Sequence, residues 1–224
     1  MFSAGILDAP SRYNWQTDPS TIDRSLVLEL VKLYFQQVND TIMGIFTEDF
    51  FLDWAGSDEY KSEDDLMLLY TMLTLATNFS TRPDRRSLSN AFGRIARYAM
   101  EARSGHYTIQ LAQSRLLLSL HYFSLNQTVE ACEMSALAAR TANGMRLNVE
   151  ETEETSYDEK MDNVRRRRTF WAIYLLDVSN LPSTLTINEQ TLTIFPAAIQ
   201  RLLLHSSLCS RRSGHLPALT RDAA

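Results

Sequence analysis

Ser62-Glu63-Asp64-Asp65-Leu66-Met67-Leu68-Leu69-Tyr70-Thr71-Met72-Leu73-Thr74-Leu75-Ala76 decides the architecture of this chain. Ser62 is an N-cap residue type, and the three carboxylates behind it suit the positive end of a helix dipole. From Leu66 onward the segment is apolar nearly all round, with Tyr70, Thr71 and Thr74 as its interruptions. A helix without a polar stripe has no face to give to water, so it belongs at the centre of a helical core. It is also well short of the roughly 20 apolar residues that a membrane span needs. Such a helix requires amphipathic neighbours, and the flanking sequence supplies them.

Upstream, Thr21 or Asp23 can cap a helix in which Leu26, Leu30, Leu33, Tyr34 and Val38 share one face, with Glu29, Lys32 and Gln36 opposite. Met43, Ile45, Phe46, Phe50, Phe51 and Trp54, punctuated by Gly44 and Gly56, read as an aromatic-rich connection that packs. The first residues form an arm with Tyr13 and Trp15 as anchors onto the body. Downstream, Pro83 stands at the first turn of a helix in which Leu88, Phe92, Ile95, Ala96, Ala99 and Met100 repeat at three and four. Residues 107–125 and 128–143, joined at Asn126-Gln127, read as an antiparallel hairpin whose seam includes small Ala112, Ala131, Ala136 and Ala139. That seam is tetratricopeptide-like, without the repeat's full signature or a second unit. Gly144 is assigned a left-handed cap, with Met145 and Leu147 folding back.

Residues 150–159 form an acidic surface loop, and a last helix runs from Lys160 through Arg165, Arg166, Arg167 and Arg168 into an aromatic end. After Asp177 the character changes: residues 184–187 and 191–194 alternate like strands, and Arg, Ser, Leu and His dominate to Ala224. The expected fold is therefore all-α, an irregular multi-helix bundle with a tetratricopeptide-like hairpin. Its parts are an arm at 1–20, a helical domain at 21–180, and an atypical, poorly ordered tail at 181–224.

Composition narrows the function. Lys and Arg number 22 against 27 Asp and Glu, a net charge of −5 that repels a phosphate backbone. Cys132 and Cys209 are too few for a disulfide framework or a four-cysteine zinc site, and fit a reducing compartment. Gly 7 and Pro 6 are few for 224 residues, which disfavours turn-dense β architectures. The opening residues lack the basic and apolar regions of a secretory peptide.

No Gly-x-Ser-x-Gly elbow and no glycine-rich phosphate cradle can be drawn. His121 lies in an apolar helix and reads as a satisfied core imidazole; Cys132 reads as a small buried thiol. Asp64-Asp65-Leu66-Met67 begins like the aspartate-rich magnesium site of an all-α terpenoid synthase. Position 68 is Leu and no second carboxylate cluster follows, so capping is the better reading. No catalytic, cofactor-binding or metal-ligating residue is assigned. The four arginines could form a nuclear address or a phosphate patch. Seven carboxylates just upstream, with Asp162 four residues before Arg166, favour local pairing instead.

Arg166-Arg167-Arg168-Thr169-Phe170-Trp171-Ala172-Ile173-Tyr174-Leu175-Leu176-Asp177 resembles the Arg-Arg-Arg-x-Phe-Trp-x-x-Tyr-x-Leu-Asp signature of the fungal-specific transcription factor domain, the regulatory middle region of zinc binuclear cluster factors. Ala136-Leu137-Ala138-Ala139-Arg140 with Gly144-Met145-Arg146-Leu147, and the segment 30–50, are similar to further parts of that family. The signature is read as packing: Arg166, Arg167, Arg168 and Asp177 at the edge of a buried face of Phe170, Trp171, Tyr174 and Leu175, worth roughly 1.5 to 3 kcal/mol per large side chain.

The resemblance implies an all-α domain that regulates transcription in the nucleus through intramolecular or protein contacts, with a dimer possible. Zinc and specific DNA contact would belong to a six-cysteine module that this sequence does not contain, and no membrane is involved. After Asp177 the sequence departs from the family pattern, so a product truncated at both ends is expected. The competing readings are a helical adaptor of tetratricopeptide type and, third, the terpenoid enzyme.

Overall fold

The computed structural model describes residues 15–149 and 157–179. Among them the chain forms α1 (Ser20–Tyr34), a π-helical segment (Phe35–Met43), α2 (Glu48–Gly56), α3 (Glu63–Thr77), α4 (Arg85–Ala102), α5 (Ile109–Ser124), α6 (Thr128–Gly144) and α7 (Tyr157–Ser179), with no strand. The all-α class is as expected. The stretches 184–187 and 191–194, the tail around them, the acidic segment 150–156 and Tyr13 lie outside the described residues.

α3 is the axis of the core. It packs against α1, α4 and α5, and every residue from Leu66 to Thr77 is buried. Its interrupting threonines satisfy themselves locally: the hydroxyls of Thr71 and Thr74 donate to the carbonyls of Met67 and Tyr70, each at 2.8 Å, so neither leaves an unpaired group in the apolar interior. Ser62 forms a reciprocal capping box with Asp65. Ser62→Ala should lower stability by about 1 kcal/mol, read as an earlier urea midpoint with an unchanged slope.

α1 contains a break at Asp23 (φ −149°, ψ 87°), whose carboxylate accepts the Leu26 N–H at 2.9 Å. The uninterrupted helix thus starts behind Asp23, one of the two capping residues the sequence offers. Ahead of it, Trp15 is buried as an anchor, and the Thr17 carbonyl accepts the Tyr70 hydroxyl at 2.7 Å.

Several local expectations are corrected. The aromatic connection contains a helix, α2, which is preceded by the π-helical segment. Asn39 clamps that bend by donating to the Phe46 carbonyl at 3.0 Å and accepting the Phe46 N–H at 2.9 Å. Tyr34, Phe35, Phe46, Phe51 and Trp54 then pack ring against ring, while Phe50 faces outward. Pro83 lies in the turn before α4, which begins at Arg85. In the seam between α5 and α6, Ala112 and Ala131 are buried with Ser135 and Ala138, whereas Ala136 is exposed.

The left-handed residue that ends α6 is Arg146 (φ +53°), not Gly144. The Leu147 N–H reaches the Ala142 carbonyl and the Arg146 N–H reaches that of Asn143, both at 3.0 Å, which is a Schellman closure with Leu147 folded back. Gly144 serves another purpose: a Cβ there would stand 2.7 Å from the Tyr107 ring. Its glycine admits a close approach rather than a turn.

Candidate regulatory face on the last helix

α7 closes the bundle against α5 and α6. Thr169, Ala172, Ile173 and Leu176 are buried, and their spacing of three, one and three residues puts them on one helical face. Within that contact Gln113 donates to the Thr169 hydroxyl at 2.9 Å, and the Ser135 hydroxyl donates to Asp177 at 3.3 Å. Arg166 donates to the Met145 carbonyl at 3.4 Å, which ties α7 to the closure of α6. The signature's outer residues thus hold α7 by hydrogen bonds to its neighbours.

The aromatic end points the other way. Trp171 is 52% exposed, Tyr174 49% and Leu175 39%, and Arg167 and Arg168 are exposed beside them. Trp171 meets Tyr174 edge-on at 5.7 Å, and Phe170, itself half-buried against the core, stacks on Tyr174 at 6.2 Å. The expectation that Phe170, Trp171, Tyr174 and Leu175 form one buried face is therefore corrected: Phe170 alone joins the core, in part. The physical reason is that positions 169, 172, 173 and 176 obey the same helical spacing with smaller side chains, and α5 and α6 take that face. α7 consequently carries two apolar faces, of which the described residues cover one.

The remaining candidates are held by protein partners. Asp64 accepts from Arg103 at 2.8 and 3.0 Å, and Asp65 from Ser62 and from Gln110 at 3.1 Å. Among the described residues no group of three or more His, Cys, Asp or Glu is placed to hold a metal ion. No helix among them is long and apolar enough to cross a membrane. Cys132 is half-buried, and Cys209 lies outside the described residues.

His121 is buried, and its Nδ1 accepts from Asn78 at 3.0 Å. Burial pushes its pKa down to about 4, below the ordinary 6.5. Because the unfolded chain binds the proton first, this group's contribution is complete above pH 6.5 and is lost as pH falls toward 4, by about 3 kcal/mol. Urea midpoints measured between pH 7 and 4.5 should fall, and His121→Gln should flatten that fall.

Two buried cations gave no sequence signal. Lys61 donates to Asp18 at 2.6 Å and to the Ser57 carbonyl at 2.8 Å, over the face of Trp54. Arg115, inside the apolar run of α5, donates to the Leu137 carbonyl and the Thr141 hydroxyl, and burial lowers its pKa. The Lys61–Asp18 pair and the Arg115 contacts join residues distant in sequence, which periodicity does not report.

Comparison with known proteins places the whole helical body in one context. A 30% identical match over 181 residues, 72% of this chain, is to the pigment biosynthesis transcriptional activator pigB of Monascus ruber. A 25% identical match over 167 residues, 73% of this chain, is to an uncharacterized transcriptional regulatory protein of Schizosaccharomyces pombe. The chain covers 32% and 26% of those relatives, so it corresponds to about a quarter to a third of their length. No solved structure matches the chain. The model of the fungal specific transcription factor domain matches residues 31–181, from within α1 to just past the end of α7. Matched along most of its length and all-helical as the signature on α7 implies, the chain belongs to the fungal specific transcription factor domain family.

Proposed function

We propose that this chain acts in the nucleus as the regulatory helical part of a transcription factor, working through protein or intramolecular contacts, while DNA is read by a separate zinc-cluster module of the whole factor. The family match over residues 31–181 carries the reading. Charge supports the division of labour, since −5 over the chain opposes a phosphate backbone. Zinc then belongs to that module and not to these residues, and no catalytic step is assigned to them. The engagement of Asp64 with Arg103 and of Asp65 with Ser62 favours this reading over diphosphate chemistry, because both carboxylates already serve the fold.

Binding of the isolated chain to duplex DNA tests the division. At physiological salt it should give no sequence-selective complex. A selective shift with a Kd below about 10⁻⁸ M would contradict it.

A further inference from the structure

We propose that the outward face of α7 around Trp171, Tyr174 and Leu175 is a docking surface for residues 195–204 of this same chain. The face combines Trp and Tyr with the exposed guanidinium of Arg168, the residue types that dominate buried interface centres. Rings held against one another and half in water form an apolar patch that gains free energy when covered.

The occupant is identified by where the chain goes next. Residues 180–224 continue directly from the end of α7. Trp171 lies eight residues before Ser179, about 12 Å back along the helix at ~1.5 Å per residue. Residues 180–194 can span up to about 50 Å when extended, ample to reverse direction. Beyond them Phe195, Ile199, Leu202 and Leu203 recur at helical spacing, with Gln200 and Arg201 off that face and Pro196 suited to a first turn.

An antiparallel return along α7 sets this apolar stripe against Trp171, Tyr174 and Leu175. It also brings the carbonyl end of the returning helix toward Arg168, the favourable polarity for a cation. The tether holds the segment at an effective concentration in the millimolar range, ahead of a second copy at ordinary protein concentrations.

Acrylamide quenching of Trp171 in the full chain, taken as the difference between the chain and its W171F variant, tests this. Trp171 should be shielded in the full chain, and Ile199→Asp with Leu202→Asp should raise its quenching constant several-fold at every protein concentration. The helical circular dichroism and the emission of Trp15 and Trp54, read in W171F, should not change. A Trp171 that is already accessible, shielding that survives the double substitution, or shielding that fades on dilution as a second copy leaves would each overturn the proposal. Should the double variant unfold, Leu175→Cys with Ile199→Cys, in a Cys132→Ala, Cys209→Ala background, decides. An intramolecular disulfide under mild oxidation supports the docking, and its absence refutes it.

Discussion

Phe92→Ala is expected to lower the stability of the chain by about 3 to 5 kcal/mol, the range for removing a fully buried aromatic ring. Phe92 is fully buried on α4 and meets the Tyr70 ring of α3 at 6.1 Å. A cavity left there cannot close easily, because the helices are already close: a Cβ on neighbouring Gly93 would lie 3.3 Å from the Thr74 methyl. Domains of this size are stable by about 5 to 15 kcal/mol, so the loss is a large fraction of the whole. Urea unfolding followed by circular dichroism should show a much lower midpoint, and an unchanged midpoint would mean that α3 and α4 do not pack as described.

Asp18→Ala is the second large effect, about 3 to 5 kcal/mol, and it arises from a charge rather than a cavity. The Lys61 side chain is 1% exposed, and among the described residues Asp18 is its only carboxylate within ion-pair distance. Without Asp18 a buried ammonium keeps the Ser57 carbonyl and the Trp54 ring, neither of which carries a balancing charge. The same strap brings the Thr17 carbonyl to the Tyr70 hydroxyl, whose pKa is pushed up by burial and, secondarily, by the charge of Asp18. Asp18→Asn combined with Lys61→Met removes both charges and should recover most of the stability lost in Asp18→Ala. If the double variant were as unstable as the single one, packing of the strap would be the cause.

The elements legible from sequence are those whose local signals agree. α3 has its capping serine, acidic turn and unbroken apolar run within one window, α4 has clean three-four periodicity, and the hairpin of α5 with α6 has the Asn126-Gln127 turn between two helix-length segments. α2 was hidden because a helix of nine residues with aromatics on several sides shows no single stripe. The end of α6 was misplaced by one feature: Gly144 has the residue type of a left-handed cap, yet Arg146 takes that conformation while Gly144 makes room for Tyr107.

α7 shows the deeper limit. Two sets of residues, 169, 172, 173, 176 and 170, 171, 174, 175, both satisfy helical spacing. Side-chain size favours the second as core, but the neighbours that settle the choice are α5 and α6, which local pattern does not specify. The family signature was therefore readable as a motif, while the side it turns inward was not.

The regulatory role is tested most directly by fusing the full chain to a heterologous DNA-binding module and measuring a reporter driven by that module's site. The chain should change output several-fold relative to the module alone, and Phe92→Ala should weaken the change by destabilising the helical core. Reporter output identical with and without the chain, at equal protein levels, would contradict the account.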